Sequence, residues 1–434
     1  MRIRRLRRLL ASITEYYSSL EELRDRRLAV LALANLLDMA STSIVVPLLP
    51  IYAERLGAGP VFLGLLFTLP TAVSTLLSTP FGYLADRTSR KPPIVAGTIL
   101  GGLSVVGVGF AGDPTTLLLF RGIDGAAMAM RSAPTTAYLG DIAGEDNRGS
   151  VMSAYHAAGM VSIAGGPVLG GSLAAVGSLA TPFFVLGGVT LIGGVVLVGL
   201  PRSPRDEPTD GSLFGESSLG ESALSAVRSA IETTRERASL TVGALLASAF
   251  LAQVGTSALS PLFAPLLEAT VGGGPAVASL AWSALGVGVL VFVPVGGTLA
   301  DRAGRKSTLI AGKSIWFAVT IGLVLAWTPL LPVVLMAGGG IASAFTGPAQ
   351  TALRYESAPE GGEGSLIGLY GTAASIGGTI GPLCGGFVAG AIGARGAVLA
   401  IGVLWAVDAL VIGLGVRDRT TTNRVTGRPE HAEN

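Results

Sequence analysis

Cysteine and histidine are nearly missing from this chain of 434 residues. The single cysteine, Cys384, excludes an internal disulfide and any cysteine-rich metal site, and two histidines, His156 and His431, are too few for a zinc centre. Charge is scarce as well. Only 13% of residues are charged against 50% hydrophobic, and mean hydropathy is +0.63. A soluble chain of this length could not present that balance to water, so the sequence reads as a polytopic membrane protein. The formal net charge of +2 offers no support for nucleic-acid binding; what carries information is where Arg and Lys fall along the chain.

Nucleotide-binding signatures are also lacking. Gly107-x-Gly109-x-x-Gly112 has the spelling of a dinucleotide fingerprint but lies inside an apolar stretch without the preceding strand that gives such a loop its shape. Gly312-Lys313-Ser314 resembles the end of a phosphate loop, yet Ser307 stands where the first Gly is required. The expectation is a protein without cofactor or metal that is not an enzyme and draws its energy from an ion gradient.

What is present is a repeat. The phrase Gly82-Tyr83-Leu84-Ala85-Asp86-Arg87-Thr88-Ser89-Arg90-Lys91 returns 215 residues later as Gly297-Thr298-Leu299-Ala300-Asp301-Arg302-Ala303-Gly304-Arg305-Lys306. At the same offset, Gly166-Pro167-Val168-Leu169-Gly170-Gly171 returns as Gly381-Pro382-Leu383-Cys384-Gly385-Gly386. Two unrelated motifs sharing one offset make the chain two copies of one unit.

A helix needs roughly 20 apolar residues to cross the hydrocarbon core, and twelve such stretches can be placed: 27–49, 60–84, 91–111, 115–140, 148–174, 179–200, 239–266, 274–299, 306–327, 330–354, 364–390 and 394–416. They must be helices, because hydrocarbon offers no partner for an open strand edge. Alternate loops are rich in Arg and Lys, which puts both termini and both charged phrases on the cytoplasmic side of the plasma membrane. The fold expected is all-α, with two pseudo-symmetric six-helix bundles at 27–200 and 239–416 related by an axis along the membrane normal. Residues 1–26 form a basic segment, read as an amphipathic helix on the inner surface rather than a cleaved signal. Residues 201–238 form a Pro/Gly/Ser-rich linker with an Ala/Glu/Arg-rich, helical second part, and 417–434 a cytoplasmic tail.

Twelve spans, the six-plus-six repeat and G-x-L-A-D-R-x-x-R-K after spans two and eight resemble the major facilitator superfamily over nearly the whole chain. Within it, Gly166, Pro167, Gly170 and Gly171 in span five and Arg121-x-x-Asp124-Gly125 in span four look like the twelve-helix drug/proton antiporter branch, although that family commonly has Gln where this chain has Asp124. The resemblance implies that Asp86, Arg90 and Asp141 hold cytoplasmic helix ends together in the outward-facing state. Asp301, Arg305 and Glu356 repeat the three charge signs in the second half. Gly82, Arg87, Lys91, Gly297, Arg302 and Lys306 complete the two loop motifs. For the span-five glycines, the resemblance implies a gate against proton leak, while plain close packing is the alternative.

Ionisable groups inside spans are costly and are rarely left facing lipid. Asp38 lies about eleven residues into span one, roughly 16 Å along the helix, in a segment resembling the first span of vesicular amine and drug transporters. It is read as a proton or cation site, with a structural polar pair as the alternative. Arg121, Asp124, Met128, Arg131 and Thr135 recur at steps of three and four and share one stripe of span four. Arg121 and Asp124 are one turn apart and able to pair, and Arg131 lies about 15 Å deeper. The second half has Met336 and Gly339 at the positions equivalent to Arg121 and Asp124, which concentrates coupling in the first half. Asp408 is read as a hydrogen-bonding group in the bundle, with a functional role as the alternative, His156 and Gln253 as interhelical hydrogen-bond partners, and Lys313 as snorkelling to the inner surface.

The function expected is alternating-access transport by a monomer, with proton-coupled efflux of small lipophilic or cationic compounds leading. The alternative is an importer or facilitator of a metabolite, sugar or organic anion, for which Arg121 and Arg131 would read an anionic substrate. A non-transporting receptor on the same fold is the remote alternative. Partners are the small-molecule substrate, protons and the lipid bilayer.

Overall fold

The computed structural model describes residues 19–144, 147–201, 203, 240–358 and 363–416. Most of the basic N-terminal segment, nearly all of the linker and the whole tail lie outside the described residues. Six helices form the first half: α1 (Arg26–Arg55), α2 (Pro60–Arg87), α3 (Lys91–Phe110), α4 (Pro114–Ile142), α5 (Arg148–Val176) and α6 (Thr181–Val198). The second half opens with α7 (Leu240–Val271), α8 (Gly274–Ala303), α9 (Arg305–Val324) and α10 (Leu330–Ser357). A continuous helix, Glu363–Gly415, then holds two spans, α11 (363–392) and α12 (394–415), divided at Gly393 with φ 78° and ψ 165°. No strand occurs among the described residues.

Ten helices are long and apolar enough to cross a membrane, and one of these is the double-length stretch. The remaining span, α4, misses that measure because its stripe of Arg121, Asp124 and Arg131 lowers its hydropathy. α1 and α7 run several residues past the ends expected from sequence, through Pro47 and Pro50 and through Pro261 and Pro265. Proline lacks only one donor and is tolerated where neighbouring helices support the backbone.

The loops are short, so successive helices are antiparallel. Starts are set by local chemistry: Asp113 accepts the Thr116 amide at 3.0 Å ahead of Pro114 in α4, and prolines occupy the first turn of α2, α3, α6 and α8. Gly393 has a conformation that only glycine adopts without strain. Gly393→Ala is expected to lower stability by about 1–3 kcal/mol, read from thermal unfolding in detergent; an unchanged midpoint would remove this account of the turn.

Packing repeats between the halves. α1 packs on α5, α2 on α4 and α3 on α6; correspondingly α7 packs on α11, α8 on α10 and α9 on α12. Between the halves, α5 meets α8 and α2 meets α11. These junctions lie at the end of the bundle opposite the loops that carry the repeated phrase, the latter being termed here the basic end. The largest apolar core reflects this, joining Ile51 and Leu179 of the first half to Leu259, Phe263 and Ala281 of the second.

Candidate functional site

α4 supplies Arg121, Asp124 and Arg131, and three glycines and a proline make room for them. Pro70 of α2 has no N–H, which leaves the carbonyl of Leu66 without its helical donor. Arg121 Nε donates to that carbonyl at 3.0 Å, and Arg121 Nη1 lies 2.5 Å from Asp124 Oδ2. Gly125 makes the approach possible, because a Cβ there would stand 2.5 Å from the Pro70 carbonyl oxygen. Arg121, Asp124 and Gly125 are thus one device for seating α4 on the proline kink of α2. Arg121 and Asp124 are buried, at 7% and 6% exposure.

Deeper along the stripe, Arg131 Nη2 reaches Asp38 Oδ2 of α1 at 3.0 Å. Each residue sits roughly 17 Å from the basic end of its own helix, so the two spans present opposite charges at one depth. On the α3 side, Gly97 and Gly101 admit α4: a Cβ on Gly97 would stand 2.9 Å from the Ala127 carbonyl oxygen, and one on Gly101 would stand 2.6 Å from Arg131 Nη1. Arg131 Nη1 is buried and donates to no acceptor among the described residues. The sequence singled out both Asp38 and Arg131 but not their pairing. Their matching depths are visible in the sequence, but not that the two helices face each other there.

At the basic end each half carries its own charge cluster. Arg90 donates to Asp141 and to the Ala137 carbonyl, and Ser203, just after α6, donates to the same Asp141 carboxylate. The Asp86 side chain lies outside the described residues. In the second half, Arg305 Nη2 is 3.1 Å from Asp301 Oδ1, and Arg305 Nη1 contacts Glu356. Asp141 is nearly buried whereas Asp301 and Glu356 are largely exposed, so the second cluster is the weaker, each exposed pair contributing about 0–1 kcal/mol. Of the other loop-motif residues, Arg87 stacks over Tyr83 at 4.3 Å and Lys91 Nζ donates to the Val198 carbonyl at 2.6 Å. Arg302 is exposed, Lys306 is half-buried, and Gly82 and Gly297 make ordinary contacts with Ala133 and Pro348.

The span-five motif and its copy occupy the junctions between the halves. Gly166 and Gly170 face α1, where Cβ atoms would collide with Ser43 and Ile44, while Gly171 faces Ser279 of α8. Pro167 leaves the Ile163 carbonyl without its helical donor, and a Cβ on Gly286 of α8 would stand 2.7 Å from that oxygen. The Val168 amide donates to Ser283 Oγ of α8 at 3.1 Å. In the copy, Gly381 and Gly385 face α7, Gly386 faces Pro60 and Val61 of α2, and Gly64 of α2 abuts the Pro382 carbonyl. Gly64, Ser283 and Gly286 were not picked out from sequence, since a single glycine or serine among many apolar residues carries no signal of its own.

Lys313 departs from expectation. It is buried and pairs with Asp408 of α12 at 2.8 Å instead of reaching the inner surface, because α12 offers a carboxylate at the same depth. Asp408 in turn has a charged partner rather than a hydrogen-bonding one. His156 stacks edge-on against Tyr155 at 5.5 Å.

A family model described as Major Facilitator Superfamily matches residues 31–244 and 245–433. A relative in Lactococcus lactis, named as a multi-drug resistance efflux pump PmrA homolog, is 23% identical over 367 residues, covering 83% of this chain and 87% of its own. The multidrug resistance protein MdtG of Citrobacter koseri is 25% identical over 378 residues, covering 85% and 90%. Among solved structures, a bacterial homolog of the human lysosomal transporter Spinster, in an inward-facing and unoccupied conformation, aligns with TM-score 0.71 at 19% identity over 90% of this chain and 96% of its own. The nucleoside transporter NupG aligns with TM-score 0.68 at 15% identity, over 90% and 100%. At those identities the structures speak for the fold alone.

Proposed function

The chain belongs to the Major Facilitator Superfamily and is a membrane-embedded transporter, not an enzyme; from that premise we propose that it is a proton-coupled antiporter exporting small lipophilic or cationic compounds across the plasma membrane by alternating access. The observation that carries this reading is the largely covered Asp38–Arg131 pair, which bridges α1 and α4 inside the bundle. A carboxylate held by an arginine releases its proton readily, and one whose arginine moves away takes a proton up. A pair split between two helices therefore lets protonation depend on conformation. Asp38 and Asp124, each paired with an arginine here, supply negative charge for a cation when those pairs open, and relatives named as a multi-drug resistance efflux pump homolog and as a multidrug resistance protein point to the same class of cargo.

With the basic end cytoplasmic, as the Arg/Lys distribution argues, the junctions at α2–α11 and α5–α8 close the external side and the arrangement is inward-facing. The two basic-end clusters then lie within their own halves and become available to hold those ends together when the bundle rocks the other way. One observation favours a second reading, transport of an organic anion: Arg131 Nη1 has a buried N–H without an acceptor among the described residues, which a carboxylate or phosphate would satisfy.

Energised everted vesicles carrying a pH dye separate the two. Addition of a cationic drug is expected to release protons with the unmodified protein and not with Asp38→Asn or Asp124→Asn. Proton movement triggered by organic anions alone would overturn the antiporter reading in favour of the second.

A further inference from the structure

The 215-residue offset that relates the halves places Gln253 of α7 where the first half has Asp38 of α1. Asp38 lies 12 residues past Arg26 and Gln253 13 past Leu240, so the two side chains leave their helices at the same depth to within about 1.5 Å. Their surroundings differ. Arg131 engages the Asp38 carboxylate, whereas Thr346 stands at the offset from Arg131. The interhelical hydrogen bond expected of Gln253 is not made, since its side-chain amide bonds to nothing among the described residues. Ser257, one turn on, reaches α11 instead, its Oγ donating to the Gln253 carbonyl at 2.6 Å and approaching the Gly377 carbonyl at 3.4 Å. α11 offers the amide no partner because it presents glycines there: a Cβ on Gly377 would stand 3.3 Å from Gln253 Cβ, and one on Gly378 3.2 Å from Gln253 Cγ.

Those glycines also fix the direction in which Gln253 looks. At about 100° per residue, Gly378 is roughly 40° round α11 from Pro382 and roughly 80° from Gly386, the residues that meet Gly64, Pro60 and Val61 of α2. Gln253 thus lies over the face of α11 that is turned to the other half, about one turn nearer the basic end than the Gly64–Pro382 contact. Gly255, two residues on and roughly 200° round α7, takes Trp405 of α12 on the opposite side. Gln253 is exposed, and what it is exposed to is the space between the halves just inside the closed junction, at the depth of Asp38. A free amide is tolerated there because the space admits water, whereas in hydrocarbon it would be costly.

We propose that Gln253 is a specificity-determining residue of the substrate site, its amide binding a neutral hydrogen-bonding group of the cargo, a carboxamide, carbonyl or hydroxyl, while the cationic end lies towards Asp38. The amide can donate from Nε2 and accept at Oε1, so a carboxamide can use both. The preferred cargo is a lipophilic cation with such a group away from its charge, in place of a purely hydrocarbon cation. Discrimination is modest, because an exposed amide left unused keeps its water and only the net gain of a hydrogen bond separates the two cargoes. The inference rests on the export of cationic compounds proposed above, but not on the coupling of that export to protons.

The test is equilibrium binding to purified full-length protein in detergent, with two probes: tetraphenylphosphonium, and its derivative carrying one para-carboxamide. The unmodified protein is expected to bind the carboxamide more tightly. Gln253→Met, which keeps the length of the side chain over Gly378, is expected to weaken the carboxamide about tenfold and to leave tetraphenylphosphonium within about twofold. Gln253→Ala is expected to give the same split, and thermal unfolding checks that both variants are folded. Equal effects on the two probes, or no effect on either, would overturn the role of Gln253 while cation export stands. Failure of the unmodified protein to bind either probe would overturn the cation reading and this inference with it.

Discussion

Asp38→Asn is expected to abolish substrate-driven proton movement and to destabilise the arrangement described above by about 3–5 kcal/mol. Asparagine keeps the shape of the side chain but removes the charge opposite Arg131, which is largely covered and already has one buried nitrogen without an acceptor among the described residues. A penalty of that size on a conformation that holds the pair amounts to more than about a hundredfold change in its population. Asp38→Asn/Arg131→Gln removes both charges, so stability is expected to recover while proton movement does not. Thermal unfolding and the vesicle assay on the same three proteins decide the matter. Should the double variant regain transport together with stability, the pair is a structural tie and the coupling site lies elsewhere.

Gly286→Val and Gly64→Val are expected to block transport through geometry instead of charge. At both positions even a Cβ would meet backbone of the opposite half, the Ile163 carbonyl oxygen at 2.7 Å and the Pro382 carbonyl oxygen at 2.5 Å. Backbone cannot rotate out of the way as a side chain tip can, so the junction opens. The conformation closed at this end is lost, and with it the alternation that transport requires. In a Cys384→Ser background, which removes the only native thiol, Ser283→Cys reports the junction. An impermeant maleimide added from the side opposite the basic end is expected to label it slowly in the parent and at least about tenfold faster with Gly64→Val, the shift that about 1.4 kcal/mol of lost closure produces. Equal labelling would mean that the junction is not a gate. The serine's hydrogen bond to the Val168 amide makes it a sensitive reporter, since closure buries it.

Spans and repeat were legible because each rests on an average over many residues. Twenty apolar positions outweigh one Asp, and two motifs at one offset cannot be read another way. The candidate site was legible in its parts: Asp38, Arg121, Asp124 and Arg131 stand out because charge in hydrocarbon is expensive. The partnership of Arg121 with Asp124 was also within reach, being three residues apart on one helix. The partnerships of Asp38 with Arg131 and of Lys313 with Asp408 were not drawn, because each needs the knowledge that α1 lies near α4, or α9 against α12. Lys313 shows the consequence most plainly. Without Asp408 in view, a lysine near a helix end reads as a snorkelling surface residue, and with it the same lysine is the buried half of an ion pair.

The sequence alone determined that this is a duplicated twelve-helix membrane protein of a transporter family, because hydropathy, the Arg and Lys bias and the repeat are properties of the chain that survive any packing. Tertiary structure alone decided which charges meet, which proline-freed carbonyl is taken by Arg121 and which abuts Gly286, and which glycines face their own half and which the other. Those are matters of depth and azimuth between helices far apart in sequence. Contacts of a few ångströms set them, and no one-dimensional period encodes such contacts.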